Sequence, residues 1–489
     1  MLRSVSHTVL HRLVLLPALL LLCACGGGRG FPEHANILLI TVDTLRADHL
    51  SSYGYPRPTS PVIDRLAAEG IRFVNPTVQW PKTGPSFASM FTSTYPKDNQ
   101  IVRKIGIPVP FEFKMLAEAM RDLGYATHAV VANGAVASDF NFHQGFDTYI
   151  ETWKMEPTEL LPDPTRADAI TKLAISVLER RDRDRPFFLW VHYLDPHAPY
   201  SAPGDHKEHF VGDDLYEPGP RIEIDLTKQK RDLTAIGYEQ VLDGRDELGY
   251  YVARYDSEIA YNDAQIGELL KVVESEGLRG RTLVAFTSDH GESLGDHHYY
   301  FDHGRFAFQS CLWVPLIFSF PGVIEPQVVE DPVELMSLAP TLLEAAGARL
   351  ENGVWMQGRS LAPRLFGLEG DGQGQAYAFA EAGYGRQGLW LRVARTRRFK
   401  LIDAQEGGDQ RWLTGEIGKR YALFDLDADP GETVNVFDDF PEEGERLARL
   451  LDRWGQVSFD PMVDTSGAEE NGDMDERTRE QLKALGYLQ

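Results

Sequence analysis

Two aspartates, a histidine and a threonine stand where this chain could present them to a common ligand. Asp289 and His290 follow the apolar run Leu283 to Phe286, which Thr287-Ser288 closes. Asp43 follows a second apolar run, Asn36 to Thr41. Thr83 precedes Gly84-Pro85, a turn from which Ser86 to Met90 could enter a helix. Aspartate brings charge to a divalent cation, and neutral imidazole brings a borderline-soft nitrogen. A hydroxyl at a helix N-terminus can be ionised by metal and field, which turns it into a nucleophile. Together Asp43, Thr83, Asp289 and His290 would make a closed tetrahedral or five-coordinate site. A metal there would deprotonate Thr83 and hold the bridging oxygen of an anionic ester. Taken singly, each also has a structural reading: Asp289 and Thr83 as helix N-caps, His290 as a loop imidazole.

Two further histidines fall in suitable places. His197 lies between Pro196 and Pro199, just past the strand-like run Phe187 to His192. In isolation it reads equally well as a loop imidazole packed on Tyr200. His303 closes the stretch that Leu283 opens. Either could contact a substrate oxyanion, protonate a leaving group or bind a second metal. Lys82, beside Thr83, is a further candidate for oxyanion contact, set against the reading of a solvated lysine. One metal site is expected and a second is possible. The imidazole at His290 favours Zn²⁺ or Mn²⁺ over Ca²⁺.

These groups need elements to position them. Continuous apolar runs mark buried parallel strands. In open α/β sheets, ligands sit beyond the C-terminal ends of such strands. Strands are expected over Ala126 to Ala132 and Leu312 to Phe320 as well. Helices are expected over Ser60 to Gly70, Glu112 to Leu123, Ala167 to Glu179, Asp256 to Glu276 and Leu338 to Ala346. That alternation predicts an α/β fold with a doubly wound, mostly parallel sheet. Leu368 to Gln375, LEGDGQGQ, marks a boundary. Beyond it, short strands over Leu389 to Val393, Phe399 to Ile402 and Tyr421 to Asp427, with a helix over Glu443 to Trp454, predict a smaller antiparallel α+β unit. The expected division is a catalytic domain over 35–366, the small unit over 375–455, and a tail over 456–489 with a short helix from Glu476.

Composition narrows the partners. The 489 residues suffice for one large core and a smaller one. Lysine and arginine number 49 against 73 aspartates and glutamates, a formal charge of −24. That balance argues against nucleic-acid binding, which needs a basic surface. An anionic substrate must then be held by local cations or a metal. Of the three cysteines, Cys23 and Cys25 lie near the start and Cys311 reads as a buried thiol, so no disulfide framework is expected. Arg3 and Arg12 with the apolar run Leu13 to Leu22 read as an export signal over 1–25. Leu22-Cys23-Ala24-Cys25 resembles the lipobox of bacterial lipoproteins, which implies cleavage before Cys25 and its lipidation. A flexible tether over 26–34 would follow. The other reading is an ordinary secretory signal cut nearby. The expectation is an exported protein, lipid-anchored through Cys25 to the membrane of the cell envelope.

The motifs carry a resemblance. ITVDTLRADHLSSYGY, SPVIDRLAAEGIRF, DPHAPY, TSDHGESLGDH, WVPLIF, LAPTLLEAAG and FDLDADPGETVN match, in type and order, the sulfatase family within the alkaline phosphatase superfamily. The resemblance covers about Asn36 to Val436. It implies a doubly wound core, a smaller C-terminal antiparallel domain and hydrolysis of sulfate or phosphate esters at a divalent metal. There are departures. Typical sulfatases carry a Cys or Ser, oxidised to formylglycine, two residues before Pro-Ser-Arg. Here that residue is Thr83, which cannot give formylglycine, and the arginine is Phe87. The family's second aspartate is Thr44, and its later lysine is His303. A threonine nucleophile instead resembles nucleotide pyrophosphatase/phosphodiesterases and phosphoethanolamine transferases. The sequence therefore predicts in-line attack by Thr83 on phosphorus or sulfur. A phosphoethanolamine-type transferase and a catalytically degenerate surface binding protein are the alternatives.

Overall fold

The computed structural model describes residues 30–101, 106–227, 235–350, 355–368, 376–384, 389–404, 420–457, 474–485 and 487. The signal segment with Cys23 and Cys25, and most of the boundary segment Leu368 to Gln375, lie outside the described residues. Among the described residues no helix is long and apolar enough to cross a membrane.

Eight strands build the main sheet: β1 (Asn36–Val42), β2 (Ile71–Thr77), β3 (Ala126–Val131), β4 (Thr148–Glu151), β5 (Phe187–Tyr193), β8 (Thr282–Ser288), β11 (Leu316–Ser319) and β12 (Gln327–Glu334). Between them in the chain lie two small pairs, β6 (Glu223–Asp225) with β7 (Ala235–Gly237), and β9 (Ser293–Leu294) with β10 (Tyr300–Asp302). The order across the main sheet is β12-β2-β11-β8-β1-β5-β3-β4. Only β11 runs against its neighbours, β2 and β8.

Both faces of the sheet are covered at its centre, which is why the central strands β1, β5 and β8 are buried along their whole length. On β1, Ile37 and Leu39 enter one buried cluster while Leu38, Ile40 and Val42 enter the other. Strand pleating sends successive side chains to opposite faces, so a run without alternation needs a core on each side. The helices α1 (Pro61–Glu69), α2 (Thr83–Thr92), α3 (Pro96–Asn99), α4 (Leu116–Asp122), α5 (Ala167–Arg180) and α6 (Leu248–Ser275) supply most of that cover. The long α6 packs on α1 and α5, while α2 packs on α4 and on the helix Leu338–Ala345.

Three expectations need correction. The helix read from Asp256 begins already at Leu248, eight residues earlier. The strand read over Leu312 to Phe320 is confined to β11, and the chain before it makes a helical turn, Gln309–Leu312, that holds the buried Cys311. Pro315 has no N–H to donate to a ladder, and its carbonyl instead accepts the Thr287 hydroxyl at 2.7 Å. The helix expected from Glu112 begins only at Leu116, because the Glu118 carboxylate reaches back to the Met115 N–H and fixes the start there.

The remaining sheet is antiparallel, β13 (Ala378–Tyr384), β14 (Leu389–Arg395), β15 (Phe399–Ala404) and β16 (Tyr421–Asp425) in sequential order. The helix Pro441–Gln456 lies on it, with Leu447, Leu451 and Trp454 against Ala394, Leu401 and Leu423. A further helix, Glu476–Ala484, returns to the main unit beside β3.

Candidate active site

Strand register assembles the site. Val42 pairs with Ser288 across β1 and β8, so Asp43 and Asp289 leave the sheet side by side. On the other side of β1, Val42 pairs with Tyr193, and the loop after β5 brings in His197. Val131 pairs with His192, and Asn133 follows the end of β3. Four adjacent parallel strands thus deliver their loops to one edge, where an open α/β sheet binds ligands.

Asp43, Asp289 and His290 converge there, one ligand atom of each lying within 4.8 Å of the others. All three are fully buried. Among the described residues, Asp43 Oδ1 and Asp289 Oδ2 have no hydrogen-bond partner. Two buried carboxylate oxygens turned on an imidazole nitrogen without partners are what a divalent cation would satisfy. The set therefore fits a metal, and Thr83 stands ready as a further oxygen donor.

Each ligand is held from behind. The His290 Nδ1 nitrogen lies 2.9 Å from the Gly291 carbonyl, which only accepts, so Nδ1 carries the proton and Nε2 offers its lone pair to the site. Gly291 is needed because a Cβ there would sit 2.0 Å from the Ser310 carbonyl oxygen. The Asn133 amide donates to Asp43 Oδ2 at 2.5 Å, and His192 Nε2 lies 3.6 Å from the same oxygen. Thr44 has a positive φ of 53°, and its N–H donates to Asp289 Oδ1 at 3.3 Å. That conformation is costly for a β-branched residue, and such strain collects at functional sites. Tyr255 holds the turn by donating to the Thr44 carbonyl at 2.7 Å.

The two carboxyls are driven apart electrostatically. Burial pushes both upward. At Asp43 the imidazoles of His192, His197 and His290 outweigh it and hold the group below its ordinary value. At Asp289 burial prevails, helped by the Asp43 charge, and the group sits above its ordinary value.

Thr83 opens α2, with Lys82 as its N-cap. Its Oγ1 lies 3.1 Å from His290 Nε2, and since Nε2 is the acceptor the threonine hydroxyl donates. The Ser86 hydroxyl, one turn on, donates to the Asp289 carbonyl at 2.6 Å and fastens the helix to the β8 loop. His197 sets its Nδ1 2.8 Å from the Ala198 carbonyl. His303 sets its Nδ1 3.1 Å from the Glu292 carboxylate. The rings of His303 and His290 lie 4.2 Å apart, and those of His303 and His197 5.4 Å. The structure therefore brings together Asp43, Thr83, Asp289, His290, His197 and His303.

Three residues at the site carry no signal in the motif reading, Asn133, His192 and Tyr487, while Glu292 stands within TSDHGESLGDH without an assigned role. Tyr487 follows the helix Glu476–Ala484, and its hydroxyl lies 2.9 Å from Thr83 Oγ1 and 3.5 Å from His197 Nε2. Lys82 Nζ lies 5.4 Å from the centre of the Tyr487 ring.

A family model described as sulfatase matches residues 35–348. The chain belongs to the sulfatase family. A second model, the C-terminal part of N-sulphoglucosamine sulphohydrolase, matches residues 295–453. The chain is 23% identical to an arylsulfatase of Clostridium perfringens, over 85% of this chain and 93% of the relative. It is 25% identical to an N-acetylglucosamine-6-O-sulfatase of Bacteroides thetaiotaomicron, over 86% of each. Among solved structures, one determined with its substrate D-glucosamine-2-N,6-O-disulfate superposes with a TM-score of 0.69 at 21% identity, covering 89% of this chain and all of that one. A phosphonate monoester hydrolase of Agrobacterium radiobacter superposes with a TM-score of 0.67 at 23% identity, covering 86% and 95%. The mixed sheet with its small antiparallel companion is accordingly the alkaline-phosphatase-like fold of this family.

Proposed function

We propose that this sulfatase-family chain hydrolyses sulfate or phosphate esters with Thr83 itself as the nucleophile. The observation that carries the reading is the place of Thr83 Oγ1, buried at the N-terminus of α2 and 3.1 Å from His290 Nε2, beside Asp43 and Asp289. The helix N-terminus favours negative charge on that oxygen. A divalent metal held by Asp43, Asp289, His290 and Thr83 would supply the positive charge that ionises the hydroxyl and offsets the oxyanion.

The chain's own groups perform the rest. Thr83 Oγ1 attacks phosphorus or sulfur in line, the new O–P or O–S bond forming as the bond to the leaving oxygen breaks. His197, fixed through Nδ1, presents Nε2 to this space and gives the leaving oxygen its proton. His303, fixed by Glu292, lies across from it and faces the oxyanion. Water then attacks the Thr83 ester, releases sulfate or phosphate and restores the hydroxyl.

The test compares wild type with Thr83→Ala and Thr83→Ser on an aryl sulfate, an aryl phosphate and an aryl phosphonate monoester, after loading with Zn²⁺, Mn²⁺ or Ca²⁺. Removing a nucleophile should lower kcat by about a thousandfold or more, with Thr83→Ser keeping a measurable rate. Turnover that survives Thr83→Ala would remove threonine from the role. The ester turned over fastest names the class.

A further inference from the structure

The substrate's seat is already taken by the chain itself. Thr83, Asp43, Asp289 and His290 have no exposed surface, and Tyr487 keeps only 4% of its own. An attacking oxygen must approach the reacting atom to about 3–3.5 Å. The Tyr487 hydroxyl stands 2.9 Å from Thr83 Oγ1, inside that shell. The phenol and the sulfur or phosphorus of an ester cannot share that position. Its ring also lies 5.9 Å from the His197 ring and 6.1 Å from the His303 ring, the two imidazoles that would meet substrate oxygens.

The segment that carries Tyr487 is a separate short element at the edge of the main unit. The helix Glu476–Ala484 has nine residues, and only Thr478 and Leu482 of them are buried. A helix that short does not stand alone in water. Its polar ties are side-chain contacts rather than sheet pairing: the Trp153 indole N–H donates to the Thr478 hydroxyl at 3.2 Å, the Gln481 amide donates to the Ala132 carbonyl at 2.7 Å, the Asp475 N–H donates to Asp139 at 3.2 Å, and Arg477 meets the Lys154 carbonyl and Glu156. Tyr487 is then set by its N–H on the Leu482 carbonyl at 2.7 Å. The segment's apolar anchors in the core are Leu482, Leu485 and Tyr487, at the C-terminal end of the chain and outside the sheet's hydrogen bonding, and elements without sheet pairing open more readily than the central strands. The β8 and β1 loops, by contrast, are anchored in the central sheet.

We propose that the helix Glu476–Ala484 with Tyr487 beyond it is an autoinhibitory strap, which plugs the nucleophile with a tyrosine hydroxyl and must withdraw before an ester can bind. The inference rests on the reading of Thr83 as the nucleophilic centre. A ligand that binds only the withdrawn form sees its affinity reduced by the fraction of molecules in that form. Loosening the strap should therefore strengthen the binding of a small tetrahedral oxyanion, and binding should in turn loosen the strap.

The experiment uses the full metal-loaded chain and orthovanadate as the probe. Affinity is measured by titration calorimetry for wild type, Tyr487→Ala and Leu482→Asp. The last variant unseats the helix without touching the site. Hydrogen exchange over Glu476–Ala484 is followed with and without vanadate. Both variants should bind vanadate about tenfold tighter or more, and vanadate should speed exchange in the wild-type helix. Equal affinities with unchanged exchange would overturn the strap and leave the active site standing. Weaker binding by Tyr487→Ala alone would overturn it too, making Tyr487 a ligand of the oxyanion. Vanadate binding to none of the three would take down the active-site reading, and the strap with it.

Discussion

Asn133 shows how much of the site depends on a residue without chemistry of its own. Its amide donates to Asp43 Oδ2, and that leaves Oδ1 as the oxygen turned toward His290 and Asp289. Its own carbonyl oxygen accepts the Ala135 N–H at 2.8 Å, so the side chain is locked from both ends. Outer partners of this kind orient a ligand, and losing one costs about 10–100-fold in metal affinity or activity. Asn133→Ala should weaken Zn²⁺ binding by about that factor in a chelator competition, with the melting temperature little changed. Unaltered affinity would mean that Asp43 is oriented by His192 alone. The candidate ligands were legible in the sequence because Asp43, Asp289 and His290 each follow an apolar strand run, and Thr83 precedes Gly84-Pro85, which make the first turn of α2. Asn133 was not, since its loop after β3 holds ordinary turn residues and only the register of β3 on β5 brings it to Asp43. Tyr487 was further out of reach, because nothing local ties the end of a polar helix to a threonine 404 positions earlier.

At the level of elements, the loops after β1 and β8 are clamped together by one arginine. Arg46 donates to Asp48 at 2.7 Å and to Asp296 at 2.6 Å, and also to the Glu292 carbonyl at 3.1 Å. It therefore fixes the segment that carries Glu292, the partner of His303. Burial pushes the Asp48 carboxyl up, but the Arg46 charge and hydrogen bonds outweigh it and bring the group from 3.8 to about 2. Burial likewise raises Asp296, and Arg46 brings it below its ordinary value. A carboxyl depressed in the folded state binds fewer protons there than in the unfolded chain. Its stabilisation is full above about pH 4 and is lost as the pH falls toward 2. The stability difference between wild type and Arg46→Gln, from urea unfolding at stepped pH, should therefore shrink over that interval. A difference independent of pH would detach Asp48 and Asp296 from the clamp. Strand order had to come from the structure. The sequence places each apolar run, yet pairing of β1 with both β5 and β8 is a long-range choice that no single run encodes.

Across the whole molecule, the small sheet supports the segment that leads to the nucleophile. The Glu381 N–H of β13 donates to the Gln79 carbonyl at 2.9 Å, and the Gln79 amide donates back to the Phe379 carbonyl at 3.2 Å. Arg395, at the end of β14, donates to Asn75 at 2.7 Å and to Thr77 at 3.2 Å on β2. The expected strands over Leu389 to Val393 and Phe399 to Ile402 fall on β14 and β15. β13 carries no strand signal in the sequence because AFAEAGY is rich in small residues of low strand preference, and its pairing with β14 decides it. A buried ion pair completes the joint: Lys400 of β15 lies 2.6 Å from Glu432, whose other oxygen accepts the Gln309 N–H at 2.5 Å. Both side chains are almost fully out of water. Removing one partner of such a pair strands the other charge and costs about 3–5 kcal/mol, whereas removing both charges is far milder. Lys400→Met should therefore lower the unfolding free energy by about that amount in urea. Adding Glu432→Gln should restore most of it, because a glutamine carbonyl can still accept the Gln309 N–H. A single substitution costing under about 1 kcal/mol would show that the Glu432 charge is met by other groups, with the small sheet then joined to the core mainly through Arg395 and Gln79.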